Sequence, residues 1–171
     1  MPHPIVNLDA LEFVRWNTRF SDPSAPLDRY GADVADIGRR IGANKLGYNL
    51  TMVDPGKAAY PAHAHRINEE MFLILEGQGE LRLGEARHSL RAGDIVACAP
   101  GGPETAHQIR NTGSEPLKVL SISTLEPVDI VDYPDSNKTG FGVMTMGPDG
   151  KPQFKRGLTS NDGQPRYWDG E

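Results

Sequence analysis

From Leu46 onward, short runs of apolar residues alternate with turn-forming residues at intervals of roughly 6–12 positions. This spacing is typical of a β-sandwich or barrel, because strands are short and Gly or Pro supplies the backbone angles that tight turns need. We therefore predict an all-β fold. Strands are expected at residues 46–53, 59–65, 69–76, 79–83, 87–91, 94–99, 105–111, 117–124 and 128–133.

The predicted strand at 69–76 is apolar on both of its faces. Phe72 and Ile74 lie on one side, since successive side chains of a strand point in opposite directions. The other side holds Met71, Leu73 and Leu75. A strand of this kind is covered on both sides. It therefore lies either inside a packed double sheet or beneath a partner subunit.

The chain divides into three segments, 1–44, 45–133 and 134–171. The first is expected to pack on the barrel as an N-terminal arm, with a helix around Asp9–Trp16, and the second forms the barrel itself. The third holds 11 of the 33 Gly and Pro residues of the chain and shows little periodicity. We therefore predict an irregular C-terminal extension over 134–171.

Composition excludes several classes of protein. The 171 residues carry a net charge of −5 and contain no run of Lys or Arg, which argues against a nucleic-acid or anionic-membrane partner. No stretch approaches the roughly 18 apolar residues of a membrane span, and the N-terminus lacks the features of a secretory signal. The lone Cys98 cannot form an internal disulfide, which is typical of a reducing compartment, so a cytoplasmic location is expected.

The segment from His63 to Glu70 carries the strongest candidate chemistry. Positions i and i+2 of a strand point the same way, so His63 and His65 can present two imidazoles to one point; on a helix they would lie about 200° apart. Glu70 begins the next strand on the apolar face of Phe72, where a carboxylate is costly unless a metal ion or a hydrogen-bond partner compensates it. Two alternatives stay open: the histidines form an exposed pair without a ligand, or the chain turns so that Glu69 replaces Glu70.

Two segments of the chain, 56–77 and 93–111, together resemble the paired motifs of a known protein family. Gly56, His63, His65, Glu70 and Gly77 match the first motif of the cupin superfamily, G-x5-H-x-H-x3/4-E-x6-G, with one extra residue before His63. The second motif, G-x5-P-x-G-x2-H-x3-N, is matched with one extra residue before the proline and two before the histidine, by Gly93, Pro100, Gly102, His107 and Asn111. The resemblance covers roughly residues 45–125 and implies a double-stranded β-helix, the cupin jelly-roll barrel.

The resemblance also implies a metal site and a range of functions. His63, His65, Glu70 and His107 occupy the positions of the four family metal ligands, and such a set suits a divalent transition metal such as Fe, Mn, Zn or Ni. The chain is similar to bacterial single-domain cupins that are often labelled sugar-phosphate isomerases. A metal-dependent enzyme acting on a small sugar or carboxylate-like substrate, by isomerisation or oxygenation, is therefore expected. The alternatives are a non-catalytic small-molecule binding module and a protein whose metal only stabilises the fold. Because cupins commonly pair, we also expect a homodimer.

Other polar residues have simpler interpretations. His3 and His88 lie outside both motifs and are expected at the surface, and Cys98, within an apolar strand, is expected to be a small buried residue. Asn111 is expected to satisfy the backbone of a turn.

Strand 46–53 leaves a choice between pocket and solvent for its polar face. Asn49 and Thr51 alternate with apolar residues there. They line the pocket beside the metal or face solvent, and the sequence slightly favours solvent.

Overall fold

The computed structural model of the chain describes residues 3–16, 26–148, 152–163 and 168. Most of these residues belong to antiparallel β-strands, which confirms the predicted all-β class. In chain order the strands are β1 (Val14–Arg15), β2 (Ala32–Asp36), β3 (Leu46–Val53), β4 (Ala64–His65), β5 (Glu70–Glu76), β6 (Gln78–Leu83), β7 (Ala86–Arg91), β8 (Ile95–Cys98), β9 (His107–Asn111), β10 (Leu117–Thr124), β11 (Val128–Tyr133), β12 (Lys138–Met146) and β13 (Pro152–Ser160).

Helical structure in the described ranges is short. One α-helix, α1, spans Gly38–Ile41, and 3-10 helices span Leu8–Ala10, Pro103–Thr105 and Pro134–Ser136. No helix among these residues is long and apolar enough to cross a membrane.

The strands form three sheets around a common interior. One sheet has the order β1-β2-β3-β10-β5-β8, the second β7-β6-β9, and the third β13-β12-β11-β4. A backbone bridge between His63 and His107 joins the third sheet to the second, so β4 and β9 lie side by side at one end of the barrel. The tight β5–β6 connection requires Gly77, whose φ is +86° and where a Cβ would lie 2.9 Å from the carbonyl oxygen of Pro116.

Two apolar clusters hold the sheets together. The first lies between the large sheet and the β7-β6-β9 sheet and includes Phe72 and Ile74 of β5. The second lies outside the large sheet, where Leu75 of β5 packs with residues of the N-terminal segment such as Phe13 and Ile37. The inner face of β5 is therefore buried, and Leu75 on its outer face is covered by the chain's own N-terminal segment, whereas Met71 and Leu73 on that face are half-buried.

The predicted strand positions agree closely with the structure, with one exception. The expected strand at 59–65 is reduced to Ala64–His65, preceded by isolated bridges at Ala58 and His63. The prolines and glycines that flank the other strands end them within two residues of the predicted positions.

The two ends of the chain are more regular than their sequences indicate. The helix expected around Asp9–Trp16 is wrong: the structure has a 3-10 helix at Leu8–Ala10 followed by β1. The extension after Tyr133 is not irregular where it is described, because β12 and β13 pair along their whole length and β12 pairs with β11. A strand tolerates several glycines when backbone hydrogen bonds to its neighbours hold it in place. The alternation of apolar and polar residues along the chain does not reveal this strand pairing.

Candidate metal centre

Three strand ends place the predicted ligands beside one another. Glu70 is the first residue of β5, His107 is the first residue of β9, and His65 is the last residue of β4. His63 is tied to His107 by a pair of backbone hydrogen bonds, His63 N to His107 O at 3.1 Å and His107 N to His63 O at 2.8 Å. The barrel therefore brings the four residues into one cluster.

The cluster is centred on one carboxylate oxygen. Oε2 of Glu70 lies 2.8 Å from Nε2 of His107, 3.4 Å from Nε2 of His65 and 3.8 Å from Nε2 of His63. Ligand atoms of His63, Glu70 and His107 all lie within 4.8 Å of one another. All four side chains are largely shielded from solvent, with the most exposed at 18%.

Hydrogen bonds behind the rings orient two of the imidazoles. Nδ1 of His63 lies 2.9 Å from the carbonyl oxygen of Pro61, and Nδ1 of His65 lies 2.5 Å from Oδ2 of Asp129. Both partners accept hydrogen bonds, so each Nδ1 carries the proton that it donates. The remaining nitrogen of each ring, Nε2, faces Glu70.

The charges of the cluster are strongly coupled. Burial, together with the neighbouring His107, lowers the pKa of His63 to about 4, so this ring is neutral at pH 7. Burial opposes protonation of His65 as well, but hydrogen bonds to Asp129 and Glu70 outweigh it and raise the pKa of His65 to about 9. Burial also works against ionisation of Glu70, yet the hydrogen bonds from His107 and His65 hold the pKa of this carboxyl well below its usual range.

The donor set fits a divalent transition metal ion. Because Nδ1 of neutral His63 donates a hydrogen bond to the carbonyl oxygen of Pro61, Nε2 of this ring presents a lone pair toward the Glu70 carboxylate, 3.8 Å away. Two electron-rich atoms facing each other are favourable only with a cation or a proton between them. Imidazole nitrogens and a carboxylate oxygen are common ligands of Fe, Mn, Zn and Ni.

A cavity of about 820 Å³ opens over the cluster. His63, His65 and Glu70 lie in its lining, and the ring of Tyr133 stacks against His63 with centroids 6.1 Å apart. Burial, followed by the charge of Asp129, raises the pKa of Tyr133 above its usual value. The site is therefore accessible to a small molecule through an opening with aromatic walls.

Polar and charged side chains line other parts of this cavity. Asn49 and Ser121 lie in its wall, and Arg29 and Lys138 also line it. Thr51, two residues after Asn49 and on the same face of β3, is 2% exposed. The expectation that Asn49 and Thr51 face solvent is wrong, because β3 is central in the large sheet and its polar face points into the barrel.

The structure also agrees with the expectations for a few other single residues. Glu69 is exposed and only Glu70 points into the cluster, and His3 and His88 are exposed. Cys98 is buried and unpaired, and Asn111 bonds to backbone groups around the turn that follows β9.

Two buried carboxylates on β11 are not anticipated from the sequence. Asp129 and Asp132 are 9% and 7% exposed, and Asp129 binds His65 directly. A signal was present, since Asp129 shares one face of β11 with the apolar Val131 and the aromatic Tyr133. An acidic residue at such a position needs a partner, but the strand alone does not reveal which one.

Comparisons with known proteins agree with this architecture. The cupin domain family matches residues 49–123. A cupin-superfamily sugar phosphate isomerase from Silicibacter pomeroyi is 25% identical, and its structure superposes with a TM-score of 0.76 over 97% of this chain and 98% of its own. A candidate sugar phosphate isomerase from Acidithiobacillus ferrooxidans is 27% identical, with a TM-score of 0.60 over 72% of this chain and 76% of its own.

A third relative is similar over a shorter segment. An uncharacterized protein from Methanocaldococcus jannaschii is 38% identical over 61 residues, which are 36% of this chain and 46% of that protein. The chain thus spans less than half the length of this relative. The family match and the superposition over nearly the whole chain confirm the double-stranded β-helix implied by the sequence motifs. Residues 49–123 of this chain thus match the cupin domain family, and the chain as a whole has the fold of the cupin-superfamily protein from Silicibacter pomeroyi.

Proposed function

We propose that the chain binds a divalent transition metal ion through His63, His65, Glu70 and His107 and acts as an enzyme on a small oxygenated substrate. The observation that carries the proposal is the convergence of three Nε2 atoms on one oxygen of Glu70, within 2.8–3.8 Å, at the base of a cavity. Buried charged groups arranged in this way are typical of a ligand site rather than of a structural core.

The ion would act as a Lewis acid toward oxygen atoms of the substrate. One ionised ligand, Glu70, against a divalent ion leaves local positive charge, which favours an anionic or enolisable oxygen ligand. Asn49 and Ser121 offer hydrogen bonds along the wall, and Arg29 and Lys138 add positive charge to the lining. These residues suit a sugar derivative or a carboxylate.

Isomerisation is the reaction that the relatives support. The two proteins named as sugar phosphate isomerases resemble this chain over most of its length. In such a reaction, this chain's residues would bind and orient adjacent carbonyl and hydroxyl groups while a proton moves between neighbouring carbons. Oxygenation by an iron-loaded protein is the competing chemistry for the same ligand set.

Metal analysis of the purified protein tests the site. Wild-type protein is expected to hold close to one equivalent of metal, and His63→Ala and His107→Ala are each expected to lose it. His88→Ala is the matched control, because His88 is exposed and remote from the cluster. Unchanged metal content in both ligand variants would overturn the proposed site.

Turnover assays then separate the two reactions. The metal-loaded protein is incubated with sugar phosphates, keto acids and diols, and products are followed by NMR alongside oxygen consumption. Interconversion of aldose and ketose without oxygen uptake supports isomerisation, whereas oxygen uptake that requires Fe(II) supports oxygenation.

A non-catalytic binding module is favoured by one observation. Among the described residues that line the cavity, the carboxylates are Glu70, which lies in the cluster, and Asp135, which is paired with Arg82 at 2.7 Å. The lining therefore offers no further carboxylate suited to proton transfer. Ligand binding without turnover, measured by calorimetry on the metal-loaded protein, would support this function instead.

We also propose a homodimer. Leu75 on the outer face of β5 is covered by the N-terminal segment, so this position does not require a partner subunit. The β12–β13 hairpin, however, exposes Met146, Phe154 and Leu158 by 67%, 59% and 62%. The strand register places these side chains on one face of the hairpin. Sedimentation is expected to give twice the mass of one chain, and Phe154→Asp is expected to shift it toward the monomer.

A further inference from the structure

We propose that Asp129 is the positioning residue of the metal centre: its carboxylate holds His65 with Nδ1 protonated, so that Nε2 is presented to the ion. The inference rests on the proposed metal-binding function. Asp129 belongs to β11, beyond the residues 49–123 that match the cupin domain family. The strand that leads into the C-terminal hairpin would therefore supply a working part of the site.

The carboxylate of Asp129 is fixed by donors on both of its oxygens. Oδ2 accepts hydrogen bonds from Nδ1 of His65 at 2.5 Å and from Nδ2 of Asn68 at 2.7 Å. Oδ1 accepts from the backbone nitrogens of Ile67 at 3.2 Å and Ile130 at 2.9 Å. With 9% of the residue exposed, water offers little competition for these bonds.

Two of these donors, Ile67 and Asn68, belong to the loop that separates two metal ligands. Residues 66–69 connect His65 to Glu70, and Asn68 in this loop also accepts hydrogen bonds from Thr124 Oγ1 at 3.0 Å and from the backbone nitrogen of Glu126 at 2.9 Å. Asp129 thus holds the imidazole of His65 and the loop that leads to Glu70 in one hydrogen-bonded unit. Partners of this kind orient a metal-binding histidine and increase the basicity of its free nitrogen.

A comparison with His63 shows why the partner matters. The Nδ1 proton of His63 is held by the neutral carbonyl of Pro61, two residues earlier in the chain. The Nδ1 proton of His65 is held by an ionised carboxylate, 64 residues away in sequence. His65 therefore depends on correct pairing of β4 with β11, which aligns His65 with Val131.

A second aspartate on the same strand offers a matched control. Asp132 is 7% exposed and binds Nε of Arg66 at 2.5 Å and Oγ1 of Thr139 at 3.2 Å. It supports the same strand pair, but its described partners include none of the ligands. Asp129→Asn and Asp132→Asn therefore make the same chemical change in neighbouring buried positions with different expected outcomes.

The test measures metal affinity by chelator competition with Zn²⁺ and records the visible spectrum of the Co²⁺-loaded protein. Asp129→Asn is expected to weaken Zn²⁺ binding about 10–100-fold and to change the Co²⁺ spectrum. The amide of Asp129→Asn would place its NH₂ group against a hydrogen-bond donor where the carboxylate of Asp129 presents an acceptor oxygen. The Zn²⁺ affinity of Asp132→Asn is expected to stay within about threefold of that of wild type. Urea unfolding of both variants compares their stability, so that a loss of affinity can be separated from a loss of folding.

Nitrogen-15 NMR of wild-type protein loaded with Zn²⁺ supplies a measurement that needs no variant. The spectrum of His65 is expected to show a protonated Nδ1 and a coordinated Nε2. Coordination through Nδ1, or equal Zn²⁺ affinity of Asp129→Asn and wild type, would overturn the role of Asp129. Failure of wild-type protein to bind Zn²⁺ at the cluster would instead overturn the proposed function.

Discussion

Strand β9 has a buried polar side chain at each end, and the two are satisfied in different ways. Asn111, which is fully buried, donates to the carbonyl oxygens of Val53 at 2.9 Å and Glu115 at 2.8 Å and accepts from the backbone nitrogen of Gly113 at 2.8 Å. At the other end, His107 lies 2.8 Å from Glu70, whose remaining close neighbours are titratable imidazoles.

The difference separates a structural polar group from a functional one. The Asn111 amide is neutral, and its partners are backbone groups that cannot change their charge, so this end of the barrel is complete without a ligand. The Glu70 end holds a buried negative charge that faces the nitrogen lone pair of neutral His63, an arrangement that becomes more favourable when a cation enters. Polarity and burial are similar at both ends, and only the nature of the partners differs.

The largest effect is expected when the charge at the Glu70 end is removed. Glu70→Gln keeps the shape of the side chain but removes the only anionic ligand of the cluster. We expect metal content to fall from about one equivalent to near zero, measured by elemental analysis after dialysis. Metal added to wild type at about 100 times its Kd should raise the free energy of unfolding by about 2.7 kcal/mol, and this increase should vanish in the variant.

The neighbouring glutamate provides the control for this change. Glu69 is adjacent in sequence but exposed, and its side chain is directed away from the cluster by the alternation of β5. Glu69→Gln should therefore retain the metal. Loss of metal in Glu69→Gln with retention in Glu70→Gln would reverse the ligand assignment.

At the opposite end of β9, substitution should affect stability and leave metal binding intact. Asn111→Ala removes three hydrogen bonds and leaves buried backbone groups of the turn without partners, at a cost of about 3 kcal/mol. Urea unfolding of the metal-free protein measures this loss. The exposed Asn161→Ala should cost less than about 1 kcal/mol. If Asn111→Ala lost its metal while still folded, the two ends would not be independent.

The same contrast explains what could be predicted from the sequence. The barrel strands follow from local alternation and turn residues, and the cluster follows from the His63–His65 spacing together with matched motifs. Each of these signals is local to its own segment, although the two motifs lie apart in the chain. Asn111 was also interpretable, because its partners around Gly113 are close in the chain.

Features set by distant pairing could not be read in this way. Asp129 meets His65 across 64 residues, through a strand pair only two residues long on the β4 side. The sequence does not indicate the hairpin because the many Gly and Pro residues of 134–171, Gly157 among them, suggest an irregular segment. In the structure this glycine instead lets the ring of Phe141 lie across the sheet, where a Cβ would come within 2.5 Å of Cε1 of that ring.

The smallest effect is expected at Cys98, which pairs with Glu70 in the strand register and is 3% exposed. Burial, followed by the charge of Glu70, raises the pKa of the Cys98 thiol to about 12. At pH 8 only about one thiol in ten thousand is then ionised, so alkylation should be about a thousandfold slower than for a free cysteine. Cys98→Ala should cost about 1 kcal/mol through lost packing and leave the metal content unchanged. Rapid alkylation of the folded protein, or metal loss in Cys98→Ala, would show that Cys98 belongs with the functional end of the barrel, because a purely packed thiol has neither property.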